Sequence, residues 1–305
     1  MDTIKKNPIR PPRLQPGDTI GIVAPASPFD VKLFDPGIRT LQSMGFQIHI
    51  PDDIYGNEGY LAGCDALRAD VLHRLFADQT VDAIVCAKGG YGSLRILPLL
   101  DFALIENNPK IFVGHSDISA LLSAIYSRTG LVTFHGPLIT TISGSPEKTR
   151  QSLVAAISSE HHLKFRCSNG TTLSSGVVTG PLCGGNLATL SHLLGTPFAP
   201  GFKDHILFLE DRAEAPYRID RMLTQMKLAG CFQHLAGLIL GDFVDCGPLQ
   251  EIFKIFSDTF ADSSIPILAG FEAGHGNQNL TIPFGLEATL DADNHKLSFL
   301  QPATL

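Results

Sequence analysis

Three residues far apart in the chain carry side chains that together can hydrolyse a carbonyl compound: Ser116, Glu210 and His275. Ser116 lies between the apolar run Ile111-Phe-Val-Gly114 and the apolar stretch Ile118-Ser-Ala-Leu-Leu122. A serine at a sharp strand-to-helix turn presents its hydroxyl above the sheet, as a nucleophile elbow does. Serine is equally a favoured N-cap, and Asp117 in the first turn suits the helix dipole, so the pattern permits both roles. The G-x-S-x-G signature is absent, because position 118 is Ile. Glu210 and Asp211 end the apolar run Leu207-Phe-Leu209. One of these carboxylates can orient a histidine, or they can cap a helix beginning near Tyr217; neighbours on a strand point apart, so they need not act as a pair. His275 has glycine on both sides in Gly274-His-Gly-Asn277, which suits an imidazole approached closely by another group. In chain order the three supply nucleophile, acid and base of a hydrolytic triad.

The turn Lys88-Gly-Gly-Tyr-Gly-Ser93 follows an apolar run and precedes a helical one. It exposes backbone N–H groups that can hold a phosphate, carboxylate or oxyanion. A plain tight turn explains it as well, and the nucleotide-binding glycine spacings are missing. His115 adjoins Ser116, but strand alternation directs its ring to the opposite side of the chain. None of the 11 His falls in H-E-x-x-H spacing, and the six Cys show no C-x-x-C. No zinc or other metal and no cofactor is expected, and the thiols read as free and mostly buried.

Composition narrows the partners. With 23 Lys plus Arg against 30 Asp plus Glu, the formal net charge is −7, and no basic block offers a path for a phosphate backbone. Trp is absent and the five Tyr are dispersed, so no stacking platform for nucleic acid is apparent. Lys5, Lys6, Arg10 and Arg13 are followed by no apolar leader core before Pro16. No run reaches the ~18 apolar residues of a membrane span. A cytoplasmic protein with neither nucleic acid nor membrane as partner is expected.

The elements that must position these residues alternate. After a Pro-punctuated arm (residues 1–17), strands are expected at 19–24, 46–50, 81–86 and 111–113. Between them lie helices that put Leu33, Ile38, Leu41 and Met44 on one face, and Leu67, Val71, Leu72, Leu75 and Phe76 on another. A short helix at 94–100 and one at 117–127 complete the first half. Such alternation predicts an α/β fold with a mainly parallel sheet and ligands at the carboxyl ends of its strands. Residues 18–145 form this first domain and 146–175 the connection, which includes a polar helix at 146–158. Residues 176–305 form a second domain with strands at 177–182, 206–209, 238–240 and 266–268. Its helices fall at 186–194, 219–228 and 251–256, and its tail, 286–290 with 296–300, reads as a hairpin.

Taken in order, these segments resemble the LD-carboxypeptidase family of serine peptidases, which includes murein tetrapeptide carboxypeptidases and microcin C immunity peptidases. The resemblance runs from about Arg13 to Asp291. It rests on Pro16-Gly-Asp18, Ile22-Val-Ala-Pro-Ala-Ser27, Ala62-Gly63 with Asp65 and Arg68, and Val81-Asp-Ala-Ile84 with Gly89-Gly-Tyr-Gly92. Further on it rests on Gly114-His-Ser-Asp117, Gly184-Gly-Asn-Leu187, Leu209-Glu-Asp211 with Arg218-Ile-Asp-Arg221, and Gly274-His-Gly-Asn277. It implies a Rossmann-like N-terminal domain, a smaller swivelling α/β C-terminal domain and a metal-independent mechanism. Ser116 falls on the family's nucleophile, Glu210 on its acid, with Glu214 a second choice, and His275 on its base. Backbone N–H groups of Gly90 and Asp117 would form the oxyanion hole, with Lys88, Gly89 and Tyr91 on the substrate side. The family usually has Arg where Lys88 stands, which replaces a bidentate fork by a point charge. The implied substrate is a murein tetrapeptide, or an aminoacyl-nucleotide amide in the immunity branch, and the implied assembly is a homodimer.

Overall fold

Apolar runs bounded by Pro, Gly or Asp become buried strands, and the amphipathic stretches between them become the helices that cover the sheets. A computed structural model describes residues 7–305, so residues 1–6 of the expected arm lie outside the described residues. The first half runs β1 (Thr19–Val23), α1 (Val31–Ser43), β2 (Gln47–His49), α2 (Asp65–Ala77) and β3 (Ala83–Cys86). It continues through α3 (Ser93–Ile96), α4 (Phe102–Asn107), β4 (Ile111–Gly114), α5 (Ser119–Thr129), β5 (Thr133–His135) and α6 (Ile139–Ile142). Then come α7 (Glu147–Ser158), β6 (Lys164–Arg166), β7 (Thr171–Ser174), β8 (Val177–Asn186) and α8 (Leu187–His192). The chain ends with β9 (Ile206–Arg212), α9 (Pro216–Leu228), β10 (Gly237–Val244), α10 (Leu249–Thr259), β11 (Ile267–Ala269), β12 (Ile282–Phe284), β13 (Glu287–Asp291) and β14 (Lys296–Phe299).

Two sheets result. The first has the order β12-β5-β4-β3-β1-β2, with β1 to β5 parallel and β12 antiparallel on the edge. Its central strands are continuous apolar runs buried on both faces, as parallel strands covered by helices must be. The second has the order β6-β14-β13-β8-β9-β10-β11-β7, parallel through β8 to β11 and antiparallel outside. The expected α/β class and terminal hairpin are both present.

The seam between the sheets positions the site. After β11 of the second sheet the chain passes through residues 270–281 into β12 of the first, so His275 sits on the crossing itself. Helix α7 buttresses this crossing: Asn279 N donates to Thr149 Oγ1 at 3.0 Å, and Thr281 N donates to Ser152 Oγ at 3.0 Å. On the other side, Asn186 N donates to Ser119 Oγ at 2.9 Å and ties the end of β8 to the start of α5.

Several expectations are corrected. Helix α1 buries Phe34, Ile38 and Leu41, an i, i+4, i+7 stripe, and leaves Leu33 52% exposed. The helix expected at 94–100 stops at Ile96 and tightens into a 3₁₀ turn over Leu97–Leu99, where Pro98 offers no N–H. Helix α4, which follows, was not expected; Asp101 starts it by accepting from Leu104 N at 2.9 Å. Strand β9 runs to Arg212, which puts Glu210 and Asp211 inside the strand instead of beyond it. Strands β5, β6, β7 and β12 are three or four residues long, too short to display a period.

Candidate active site

Ser116 opens the turn beyond β4 with φ +65°, a left-handed conformation that costs a non-glycine residue roughly 1–2 kcal/mol. A 3₁₀ turn over Ser116–Ile118 leads into α5, and Ser116 caps neither element through its side chain. Its Oγ instead lies 3.0 Å from His275 Nε2. The other ring nitrogen, Nδ1, is 2.6 Å from Glu210 Oε2. Hydroxyl, imidazole and carboxylate, separated by up to 159 positions, therefore form one unbroken chain of contacts.

Burial decides the electrostatics. Glu210 is fully buried, which by itself favours its neutral form, yet the hydrogen bond and charge of His275 outweigh this and hold its pKa below the ordinary 4.5. His275 is partly buried, which opposes its charged form, but the bond to Glu210 prevails and raises its pKa above 6.5. The two shifts share one cause. The pair is poised to hold a proton on the imidazole when one arrives.

Glycine is required at position 274. It adopts φ +123°, and a Cβ there would stand 2.7 Å from Glu210 Oε2. Asn279 Oδ1 accepts from Gly274 N at 3.0 Å and fixes the loop that carries His275. Asp242, in the irregular part of β10, closes the far side, where a Cβ on Gly276 would meet its Oδ2. Burial and the charge of Glu210 push the Asp242 pKa up to about 7.

The glycine turn packs over Ser116. A Cβ on Gly89 would stand 2.9 Å from Ser116 Cβ, so this close approach excludes any side chain. Gly90, one residue on, faces Ser27, whose Oγ accepts from Tyr91 N at 3.0 Å. The Asp117 carboxylate accepts from Ser93 N at 2.8 Å and fastens the turn to the start of α5. The Asp117 backbone N–H lies in the first turn of a helical segment, where such groups have no intrahelical partner. Lys88 Nζ donates to the Pro28 carbonyl at 3.1 Å, and Tyr91, half-exposed, packs against Tyr60 with ring centroids 5.5 Å apart.

Two expectations are revised here. Asp211 serves the start of α8, whose N-cap is Asn186, and not the helix near Tyr217: its carboxylate accepts from Ala188 N and Asn186 Nδ2, each at 2.9 Å. The His115 ring does not point away from the site but lies 5.1 Å from the His275 ring, with Nδ1 donating to the Gly136 carbonyl at 2.9 Å. Alternation fails there because the chain leaves the extended conformation at Ser116. Glu214 pairs with Arg218 at 3.5 Å, and no contact joins it to His275. Asn279, Asp242, Ser119 and Asn186 escaped the sequence reading as support for the site; only the Gly-Gly-Asn motif marked Asn186.

Known proteins show the same organisation. The family model described as LD-carboxypeptidase N-terminal domain matches residues 20–136, and that of the LD-carboxypeptidase C-terminal domain matches residues 179–290. A probable murein peptide carboxypeptidase of Bacillus subtilis is 39% identical over 92% of this chain and 91% of its own. An MccF-like protein from Bacillus anthracis superposes with a TM-score of 0.90 at 27% identity, covering 96% of this chain and 99% of that one. A muramoyltetrapeptide carboxypeptidase from Oxalobacter formigenes does so with a TM-score of 0.81 at 29% identity, covering 92% and 97%.

Proposed function

The chain belongs to the LD-carboxypeptidase family, and from that premise we propose that it hydrolyses murein tetrapeptides at the amide between the L-centre of a diamino acid and the terminal D-Ala, in cell-wall recycling. The observation that carries the reading is the hydrogen-bonded chain from Ser116 Oγ through His275 to Glu210 Oε2. In this mechanism His275 Nε2 takes the Ser116 proton as Oγ attacks the carbonyl carbon. Glu210 fixes the tautomer and steadies the imidazolium. Backbone N–H groups of Gly90 and Asp117 receive the oxyanion, each donor being worth about 3–4 kcal/mol in comparable enzymes. His275 then passes its proton to the departing D-Ala amine, and water, activated by the same imidazole, releases the acyl group. Gly89 lets the turn close over Ser116, Lys88 acts by ordering that turn through Pro28, and Tyr91 borders the substrate. The reading places the protein in the cytoplasm as a homodimer; all six cysteines are free, as suits that compartment. Among the described residues no helix is long and apolar enough to cross a membrane.

The test is release of D-Ala from a purified tetrapeptide, unaffected by chelator. A second reading, cleavage of the amide of a peptidyl- or aminoacyl-nucleotide, draws support from the closer superposition on the MccF-like structure. Side-by-side turnover of a tetrapeptide and an aminoacyl sulfamoyl adenylate separates the two. Faster cleavage of the adenylate would replace the first reading by the second.

A further inference from the structure

A buried guanidinium lies against the glycine turn. Arg68 stands in the first turn of α2, and its side chain is 1% exposed. Burial obliges such a group to satisfy its planar fork of N–H donors from within the protein. Arg68 bonds to one carboxylate, that of Asp65, and to three main-chain carbonyls: Nε donates to Gly63 at 3.1 Å, and Nη1 donates to Gly92 at 2.9 Å and to Pro25. Asp65 is shared, because its carboxylate also accepts from Arg95 of α3 at 2.7–3.0 Å. The bonds to carbonyls therefore direct most of the fork at loops, and only part of it at an opposite charge.

Two of those carbonyls bracket the turn over Ser116. Gly92 closes it with φ +132°, and a Cβ there would stand 2.8 Å from Arg68 Nη1, so only glycine lets the guanidinium approach. The Gly92–Ser93 peptide is held at both ends, its carbonyl by Arg68 and its N–H by the Asp117 carboxylate at 2.8 Å. Pro25 begins the loop that braces the other end. From that loop Ser27 N donates to the Gly89 carbonyl at 3.3 Å, and Ser27 Oγ accepts from Tyr91 N at 3.0 Å. A trans peptide points its carbonyl and N–H opposite ways, so holding the Gly89 carbonyl also aims the Gly90 N–H. Arg68 thus reaches the peptide of Gly90 through one loop, and residue 117, next to Ser116, through one peptide.

We propose that Arg68 is a positioning residue for the reaction: by clamping the Pro25 and Gly92 carbonyls it sets the spacing between the Gly90 and Asp117 N–H groups that receive the oxyanion. The inference rests on the oxyanion hole proposed above. Arg68 itself is enclosed and touches no substrate. Donors aimed at a developing oxyanion act on the transition state more than on bound substrate, so slackening them lowers kcat and spares KM. A lysine would keep the charge, but its point-like ammonium cannot replace a planar fork spread over three carbonyls and a carboxylate.

The test compares D-Ala release by Arg68→Lys and Arg95→Met. kcat is counted per Ser116 that a fluorophosphonate labels at the end point, so unfolded molecules do not enter. Arg68→Lys is expected to lower kcat about tenfold to a hundredfold at unchanged KM, no more than the loss of one oxyanion donor would cost. Arg95→Met removes only an exposed partner of Asp65 and is expected to stay within about twofold of wild type. Wild-type kcat in Arg68→Lys, a loss expressed in KM instead, or an equal loss in Arg95→Met overturns the proposal. Should Arg68→Lys not fold, Asp117→Ala carries the test, because it frees the Ser93 N–H while keeping its own backbone N–H. A several-fold lower kcat at unchanged KM then supports the clamp, and wild-type kinetics overturns it. If the tetrapeptide is not cleaved, the same ratios are read with the aminoacyl sulfamoyl adenylate. Ser116→Ala, run alongside, separates the two levels. If it stays active the triad reading fails; if it is inactive while Arg68→Lys is normal, only the clamp fails.

Discussion

In the first sheet Ser116 stands just past the end of β4, half-buried and held at φ +65°. In the second, Glu210 stands within β9, wholly buried and in regular register opposite Asn186 of β8. The same hydrogen-bonded chain of side chains thus draws one member from a strained turn at a sheet edge and another from an unstrained strand interior. The difference suits the role proposed for each. A nucleophile has to be reached by substrate, and the left-handed turn lifts its hydroxyl clear of the sheet. A carboxylate that only orients and neutralises works best away from water, where its field is least screened. His275 belongs fully to neither sheet, and its loop is the crossing that makes the two arrangements meet.

The sharpest way to break this contrast is Ser116→Ala. It is expected to cut kcat about a hundred-thousandfold or more in a D-Ala release assay, with an unchanged circular dichroism spectrum. Glu210→Gln removes the buried charge but keeps the shape, and is expected to cost about ten-thousandfold in kcat, since the amide no longer enforces the productive tautomer.

The pH profile comes next in size. With the His275 pKa raised above 6.5 by Glu210, kcat/KM falls about tenfold per pH unit below that raised value, and residual activity in Glu210→Gln has its acid limb at lower pH. An unmoved limb would separate His275 from Glu210. Stability follows the opposite senses of the two shifts. The contribution of His275 is full below 6.5 and is lost as pH rises through its raised value. That of Glu210 is present above 4.5 and is lost as pH falls through its lowered one.

The smallest effect tests the strain itself. Ser116→Gly should unfold at higher denaturant than Ser116→Ala, by about 1 kcal/mol, because glycine adopts φ +65° without penalty. Equal stabilities would mean that the turn stores nothing.

Much of the architecture is legible in the residues. Apolar runs at Thr19–Val23, Ala83–Cys86 and Ile111–Gly114 are continuous because both faces of the first sheet are covered, and the turns after them fall where such sheets bind ligands. What was missed has a common cause. Strand β12 is three residues long and is defined by pairing with β5, some 150 positions earlier, so no local pattern announces it. The roles of Asn279 and Asp242 depend on the crossing loop, which meets α7 and the irregular part of β10 only after both sheets form. His115 was misdirected because alternation presumes an extended chain, and the chain bends at the next residue.

Residue types and their order therefore determined that this chain carries a hydroxyl, a carboxylate and an imidazole suited to a hydrolytic triad, each beside an apolar run that a sheet would bury. Local chemistry fixes those features: hydrophobic periodicity, turn residues, and glycines where no side chain fits. Only the tertiary structure decided that the three side chains touch, that Glu210 and not Glu214 faces the imidazole, and that Asp211 holds the Asn186 amide at the start of α8. Those outcomes depend on how two sheets dock across a crossing loop, and contacts between distant segments leave no periodic trace in a single sequence.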